Sequence, residues 1–527
     1  MELRRRELLK LGVFGSAALL LPAERVARTE LALKNRIATS RLPAPFSVPL
    51  SSLRLATPVR STADTDFYSI TQQAAPAEIL PGLTTTIWGY NGITPGPTIV
   101  VPRGRQTVVR HINALPAVHP TLRYTVWTST HLHGSASLPQ FDGYASDITN
   151  VGQFKDYEYP NGQEARTIWY HDHGVDITAP NAYMGLAALY IIHDDLEQSL
   201  PIPHGRYDVP LAVKDALFTN TGELIFDDNG ATSGGAGVFG DVILVNGRPW
   251  PRMPVERRKY RFRLLNASVS RSYDLALSTG DPFVVIGTDG GLMPTPQVVP
   301  SFRFGMAERY EVIIDFANYP IGTRVVLRNL QPPNNQEFPN TDVIMAFDVT
   351  SEATDTTNNE IPPVLNPDNE TMKLQPSQAK TSRLMDFKRQ GGEWTVNGRT
   401  WEDVINSGFT LLEAHPGLND VELWTFRNNS NGWFHPIHVH LVDFKILDRN
   451  GAPPAPYERG PKDVVYLGEG ETVRVLIKFG PNLGRYMMHC HNLVHEDHDM
   501  MVQFEVGQGG PDPINAAPAR NLPAPPL

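Results

Sequence analysis

The dipeptide Asn-Gly recurs three times in this chain with similar flanks: Trp88-Gly89-Tyr90-Asn91-Gly92, Val245-Asn246-Gly247-Arg248-Pro249-Trp250 and Val396-Asn397-Gly398-Arg399-Thr400-Trp401. The asparagines stand 155 and then 151 residues apart (91 to 246, 246 to 397). Asn-Gly signals a tight turn between two strands. Solenoid repeats have periods of roughly 20–50 residues, so a period of this length is that of a whole β domain. Three β-sandwiches of similar design are therefore expected in the 527 residues. Composition agrees, since 42 Gly and 46 Pro suit many short strands joined by turns. Runs such as Thr98-Ile99-Val100-Val101 read as strands, and sustained helical periodicity is scarce. The expected units are residues 45–204, 205–350 and 376–508. Asn220–Gly240 wraps between the first two, and Ser351–Ser377 connects the second to the third. Residues 509–527, rich in Gly, Pro and Ala, are expected to be a disordered tail.

The first 27 residues read as an address. Arg4-Arg5-Arg6-Glu7-Leu8-Leu9-Lys10 resembles a twin-arginine export motif, and the apolar run Leu11–Leu21 is too short to span a bilayer stably. A signal peptide is expected, with cleavage after Ala23 or Ala27, and with it a periplasmic, cell-surface or extracellular destination. No interior run approaches the length of a membrane span, so no stable membrane insertion is expected. The net charge of −10 argues against nucleic acid as a partner. One cysteine, Cys490, excludes an intramolecular disulfide.

Ten of the sixteen histidines fall in four tight clusters, and the lone cysteine lies inside the last. The clusters are His131-Leu-His133, His171-Asp-His173, His435-Pro-Ile-His438-Val-His440 and His489-Cys490-His491, with His495 four residues further on. Residues two apart on a strand point the same way. His131 with His133, His171 with His173, His438 with His440, and His489 with His491 can thus converge, supplying enough imidazoles for three copper ions with positions open to oxygen. Cys490 must face the other way, and His435, of opposite parity to His438 and His440, can join it. His435, Cys490 and His495 with a weak thioether match the trigonal His₂Cys copper site of electron transfer. Met500 is assigned the axial position, with Met501 as the competitor. Imidazole and thiolate suit copper, whereas calcium would want carboxylates. The peptide path from Cys490 to His489 and His491 joins the two sets over on the order of ten ångströms, at about 3.3 Å per residue. Electrons taken singly on one side could gather on the other for dioxygen.

The four clusters, in this order, resemble those of the multicopper oxidases. Gly432–Phe444, Lys462–Val465, His489–Met501, Arg258–Leu265 and Met306–Val312 resemble most closely the bilirubin oxidase and spore-coat laccase type, over most of residues 50–506. The resemblance implies an all-β chain of three cupredoxin-like Greek-key β-sandwich domains. It implies four coppers per chain: one type 1 (His435, Cys490, His495, axial Met500), one type 2 (His131, His438) and two type 3 (His133, His171, His173, His440, His489, His491). No ligand position is missing. Asp142 and Glu496 match the family's acidic positions, and four-electron reduction of dioxygen consumes protons that buried carboxylates can handle. Asn492 and Asp463 are expected to hydrogen-bond around the type 1 site, and Trp433 to wall its outer side. His111, His119, His193, His204 and His415 read as structural or surface residues, and His498 as a non-ligand.

The function implied is oxidation of phenols, aromatic amines or tetrapyrroles by dioxygen, in a monomer. A metallo-oxidase of Cu(I), Mn(II) or Fe(II) is the alternative; with 12 Met and no Met-rich segment the chain lacks a common mark of cuprous oxidases. A non-catalytic copper-binding envelope protein is the third reading, opposed by the full ligand set.

Overall fold

The computed structural model describes residues 22–227 and 237–527. The expected leader lies, up to residue 21, outside the described residues; a helix, Pro22–Lys34, contains both candidate cleavage positions. The Asn220–Gly240 segment is described except for residues 228–236.

Each Asn-Gly pair forms the same turn. Asn91, Asn246 and Asn397 have φ of 54°, 51° and 53°, and the following glycines 69°, 75° and 77°. Two successive left-handed residues define the type I′ turn, which asparagine tolerates and glycine adopts freely. Each asparagine then folds back. Its Oδ1 accepts a hydrogen bond from the main-chain N–H of Thr71, Ala212 and Asp386 respectively, at 2.8 Å in all three cases. Thr71, Ala212 and Asp386 lie on strands Thr65–Ala77, Asp208–Phe218 and Thr381–Gln390. Each of these strands pairs antiparallel with the strand leading into its turn. Each also pairs parallel with a later strand, Gln106–Asn113, Lys259–Asn266 and Val421–Asn428. A repeated dipeptide thus marks a repeated mixed sheet.

Every such sheet packs on a second one. In the first sandwich Tyr68, Val109 and Tyr157 face Ile99, Ile168 and Ile192 of the sheet that carries strands Thr130–His133 and Arg166–Asp172. In the third, Phe387, Phe426 and Val475 face Ile437, Cys490 and Val502 of the sheet ordered Val464–Leu467, His435–Val439, Gly484–Cys490, Met501–Val506. The chain is thus built of strands in paired sheets, the all-β cupredoxin-like architecture expected. Among the described residues no helix is long and apolar enough to cross a membrane.

The expectation of a disordered tail is corrected. Arg520–Asn521 pairs antiparallel with Gln153–Phe154 and extends the first sandwich's sheet. Arg520 bonds Asp156 at 2.8 Å, Arg110 donates to the Pro525 carbonyl, and Ile514 packs beside Tyr144 and Trp401. Composition alone does not reveal an open sheet edge that needs a partner.

Candidate metal centre

Strands His435–Val439 and Gly484–Cys490 are neighbours, with Ile437 opposite Cys490 and His438 opposite His489. Directly opposed residues share a face. Ile437 and Cys490 therefore enter the third sandwich's own core, while His438 and His489 leave it toward the first sandwich. There, His131 stands opposite His171 on the neighbouring strands Thr130–His133 and Arg166–Asp172. Gly143 permits the close passage beneath: its φ is 78°, and a Cβ would fall 2.4 Å from the Thr130 carbonyl oxygen.

The eight imidazoles sort into groups the spacing did not divide. His133, His171 and His491 bring one ligand atom each within 4.8 Å of one another, as do His173, His440 and His489. His131 and His438 remain as a pair, within the same reach of His133. In the second triplet His489 Nε2 lies 3.2 Å from His173 Nε2 and 3.1 Å from His440 Nε2.

Outward-facing nitrogens are held by the protein. His440 Nδ1 lies 2.8 Å from Asp142 Oδ2, and His131 Nδ1 bonds the Asp142 main-chain carbonyl. His171 Nδ1 and His438 Nδ1 meet the carbonyls of Asp172 and Asp463 at 2.8 and 2.9 Å. Glu496 Oε2 lies 2.9 Å from His489 Nδ1, and Oε1 3.5 Å from His173 Nδ1. The inward nitrogens of four rings have no protein partner, His131 Nε2, His171 Nε2, His438 Nε2 and His133 Nδ1, and neither nitrogen of His491 has one. Buried polar atoms without partners are costly. Here they converge, and their chemistry is that of a metal site in which outer hydrogen bonds fix most of the rings. Burial, reinforced by the neighbouring rings, lowers His171 to about 3, and burial alone dominates for His173, at about 4. The same burial holds His131, His133, His438, His440 and His491 well below the ordinary histidine value. These rings are neutral and carry the lone pair a metal requires. Burial also pushes the Asp142 carboxyl well up. Glu496 is buried too, but His489 and His173 outweigh this and hold it at about 2.

On the other face His435 Nδ1 lies 3.3 Å from Cys490 Sγ, His495 Nδ1 lies 3.8 Å from it, and the two Nδ1 atoms are 3.3 Å apart. Burial raises the Cys490 thiol well above its ordinary value, so its ionisation calls for a cation alongside. Met500 shares a core with Cys490, whereas Met501 stands opposite His489 and packs with Tyr144 and Met487. Strand alternation thus puts Met500, not Met501, on the thiol's side. His495 and Glu496 sit on the short helix Leu493–Asp497, where adjacent residues diverge by about 100°, so one reaches Cys490 and the next reaches His489. Asn492 caps that helix through Val494 N–H, and its amide lies 3.2 Å from His495 Nε2. Trp433 is half-buried beside His495, with ring centres 5.2 Å apart.

Asp463 corrects an expectation. It sits at His133 and His438, not at Cys490, because Arg309, distant in sequence, grips its carboxylate. Trp394, stacked on His495 at 4.0 Å, and Ser430, 2.7 Å from His435 Nε2, also flank the site; no spacing signal in the sequence marks either. The remaining histidines have local roles: His111 packs among Tyr90, Tyr157 and Tyr170, and His119 Nδ1 accepts from Leu122 N–H. His193, His204 and His415 meet Glu197, the Leu200 carbonyl and the Gly507 carbonyl. His498 is exposed.

Known proteins agree with this geometry. Three multicopper oxidase family models match residues 71–197, 218–345 and 373–510. A bilirubin oxidase of Albifimbria verrucaria is 43% identical over 456 residues, covering 83% of this chain and 76% of that protein. A laccase of Bacillus subtilis is 34% identical over 500 residues, covering 85% and 96%. The crystal structure of a multi-copper oxidase from Pediococcus acidilactici matches with a TM-score of 0.77 at 28% identity, covering 88% of this chain and 92% of that one. Similarity that runs through all three sandwiches and both histidine-bearing sheets has one reading: the chain belongs to the multicopper oxidases, copper-dependent oxidoreductases with dioxygen as acceptor.

Proposed function

We propose that this oxidase takes single electrons from phenols, aromatic amines or tetrapyrroles and reduces dioxygen to water, using about four coppers per chain. The observation that carries this is the sorting of the imidazoles. Two triplets and a pair gather on one face of strand Gly484–Cys490, with a thiol and two imidazoles on the other. His435, Cys490, His495 and Met500 would hold type 1 copper. His131 and His438 would hold type 2, and His133, His171, His491 with His173, His440, His489 the type 3 pair. Copper bound there supplies one-electron redox chemistry at Cys490 and dioxygen reduction between the sandwiches. Cys490 bridges the two through its peptide neighbours. Asp142 and Glu496 orient His440 and His489 and are placed to pass protons inward. Trp433, half-buried beside His495, forms part of the surface an aromatic donor would meet. The substrate class follows the bilirubin oxidase and laccase relatives.

Oxygen uptake by the copper-loaded chain tests this with a phenol, bilirubin, and Cu(I), Mn(II) and Fe(II) ions. Organic donors should drive uptake fastest. Uptake with metal ions alone would make the chain a metallo-oxidase, and no uptake by a fully loaded blue protein would make it a copper-binding scaffold.

Export by the twin-arginine route is proposed from Arg4-Arg5-Arg6 and the short apolar run behind it. Replacing Arg5 and Arg6 by lysine should strand the protein in the cytoplasm; unchanged secretion would sink this reading.

A further inference from the structure

The middle sandwich supplies none of the proposed ligands, yet one of its side chains grips a residue that touches two of them. We infer that Arg309, acting through Asp463, is a positioning residue that sets which nitrogens His133 and His438 present to the metal. The inference rests on the ligand reading above.

Arg309 opens strand Arg309–Asp315 and is fully buried. A guanidinium has five N–H donors in a rigid fork, and every one here has an acceptor. Nε donates to the Thr167 carbonyl at 3.1 Å, on the strand that carries His171. Nη1 donates to the Ala307 carbonyl at 2.9 Å and to Asp463 Oδ1 at 2.7 Å. Nη2 donates to the Asp289 carbonyl at 3.2 Å and to Asp463 Oδ2 at 2.5 Å. One residue therefore ties all three sandwiches together, with a two-pronged grip on a carboxylate of the third. Asp289 steadies the same aspartate by accepting from its main-chain N–H at 3.2 Å.

Asp463 passes this order to two imidazoles. Its main-chain carbonyl accepts from His438 Nδ1 at 2.9 Å, so that nitrogen carries the proton and Nε2 keeps its lone pair for the centre. Its Oδ1 lies 3.2 Å from His133 Nε2, which leaves Nδ1 as the inward atom of that ring. His133 is thus turned the opposite way to His131, His171 and His438, each of which offers Nε2. The two rings stack with centres 3.7 Å apart and planes at 15°, so a shift in one moves the other. They belong to different groups, His438 to the pair and His133 to a triplet. Gly134, next to His133, confirms how tightly the ion pair is fitted. Its φ is 90°, and a Cβ would stand 2.8 Å from Arg309 Nη2 and 2.9 Å from Asp463 Oδ2.

A bare tie between domains would need no such placement against two rings, and the two roles separate by experiment. Arg309→Lys keeps the charge but cannot make the two-pronged grip. Asp463→Asn keeps the shape and the main-chain carbonyl but not the carboxylate. Both are compared with wild type and with His438→Ala in the full copper-loaded chain. The readouts are copper content, the blue absorption, the paramagnetic resonance of non-blue copper, and melting temperature. Each conservative variant should keep its blue band, show altered non-blue hyperfine splitting, and bind copper of the histidine cluster about 10- to 100-fold more weakly, as outer-shell changes do. If both variants melt lower but keep wild-type resonance and copper content, Arg309 is only an interdomain tie and the inference fails. Absence of a non-blue signal in wild type, or an unaltered one in His438→Ala, would instead overturn the ligand reading itself.

Discussion

Cys490→Ser should abolish turnover while leaving a folded chain with about three coppers and no blue colour. Serine keeps the shape at a position buried in the third sandwich's core but removes the soft ligand that His435 and His495 flank. His489 and His491 leave the strand on its other face, so the cluster between sandwiches should still fill. Oxidation of every donor should fall by at least about 10³-fold, since electrons lose their entry point. Met500→Leu makes the contrast. A long axial bond tunes potential more than it holds metal, so that variant should stay blue and active with a raised reduction potential. Absorption, copper content and potentiometry check both. A shifted potential in Met501→Leu with none in Met500→Leu would reverse the axial assignment, and turnover by Cys490→Ser would refute the electron route.

Strand parity made much of this site legible in advance. Histidines two apart on a strand share a face, so once the β pattern is read the separation of Cys490 from His489 and His491 follows from sequence. The Asn-Gly repeat was legible for the same reason: a type I′ turn has its own residue signature, and Asn91, Asn246 and Asn397 all adopt it. What no spacing showed was how eight rings from two domains divide into a pair and two triplets, because that depends on the docking of one sandwich on another. The misplacement of Asp463 has the same origin. Its partner Arg309 comes from the middle sandwich, and only the folded chain shows the ion pair turning the carboxylate toward His133. Glu496 stands out in the sequence beside His495, but its reach past that residue to His489 depends on the short helix after Asn492, a break from the β pattern. The tail misled because Pro and Ala say nothing of the strand edge at Gln153–Phe154 awaiting it.

Glu496→Gln should slow oxygen consumption by about 10²- to 10⁴-fold, the usual worth of a placed acid or base, without impairing electron entry. Reduction of dioxygen to water needs four protons delivered into a buried space. Among the described acidic groups, Asp142 and Glu496 are the two that lie within 3 Å of a ring nitrogen of the His173, His440, His489 triplet. Glutamine preserves length and volume, so copper content and blue colour should persist. Under anaerobic conditions an organic donor should still bleach the blue band at the wild-type rate, because His435, Cys490 and His495 are untouched. Only reoxidation by dioxygen should slow, and its solvent deuterium isotope effect should grow. Asp142→Asn should show the same split between fast bleaching and slow reoxidation. It should also lose some copper, since Asp142 fixes His440 through its carboxylate and His131 through its main chain. Stopped-flow traces of the two half-reactions separate these cases. Equal slowing of bleaching and reoxidation in Glu496→Gln would mean a distorted centre, and full-speed reoxidation would show that protons reach dioxygen by another path.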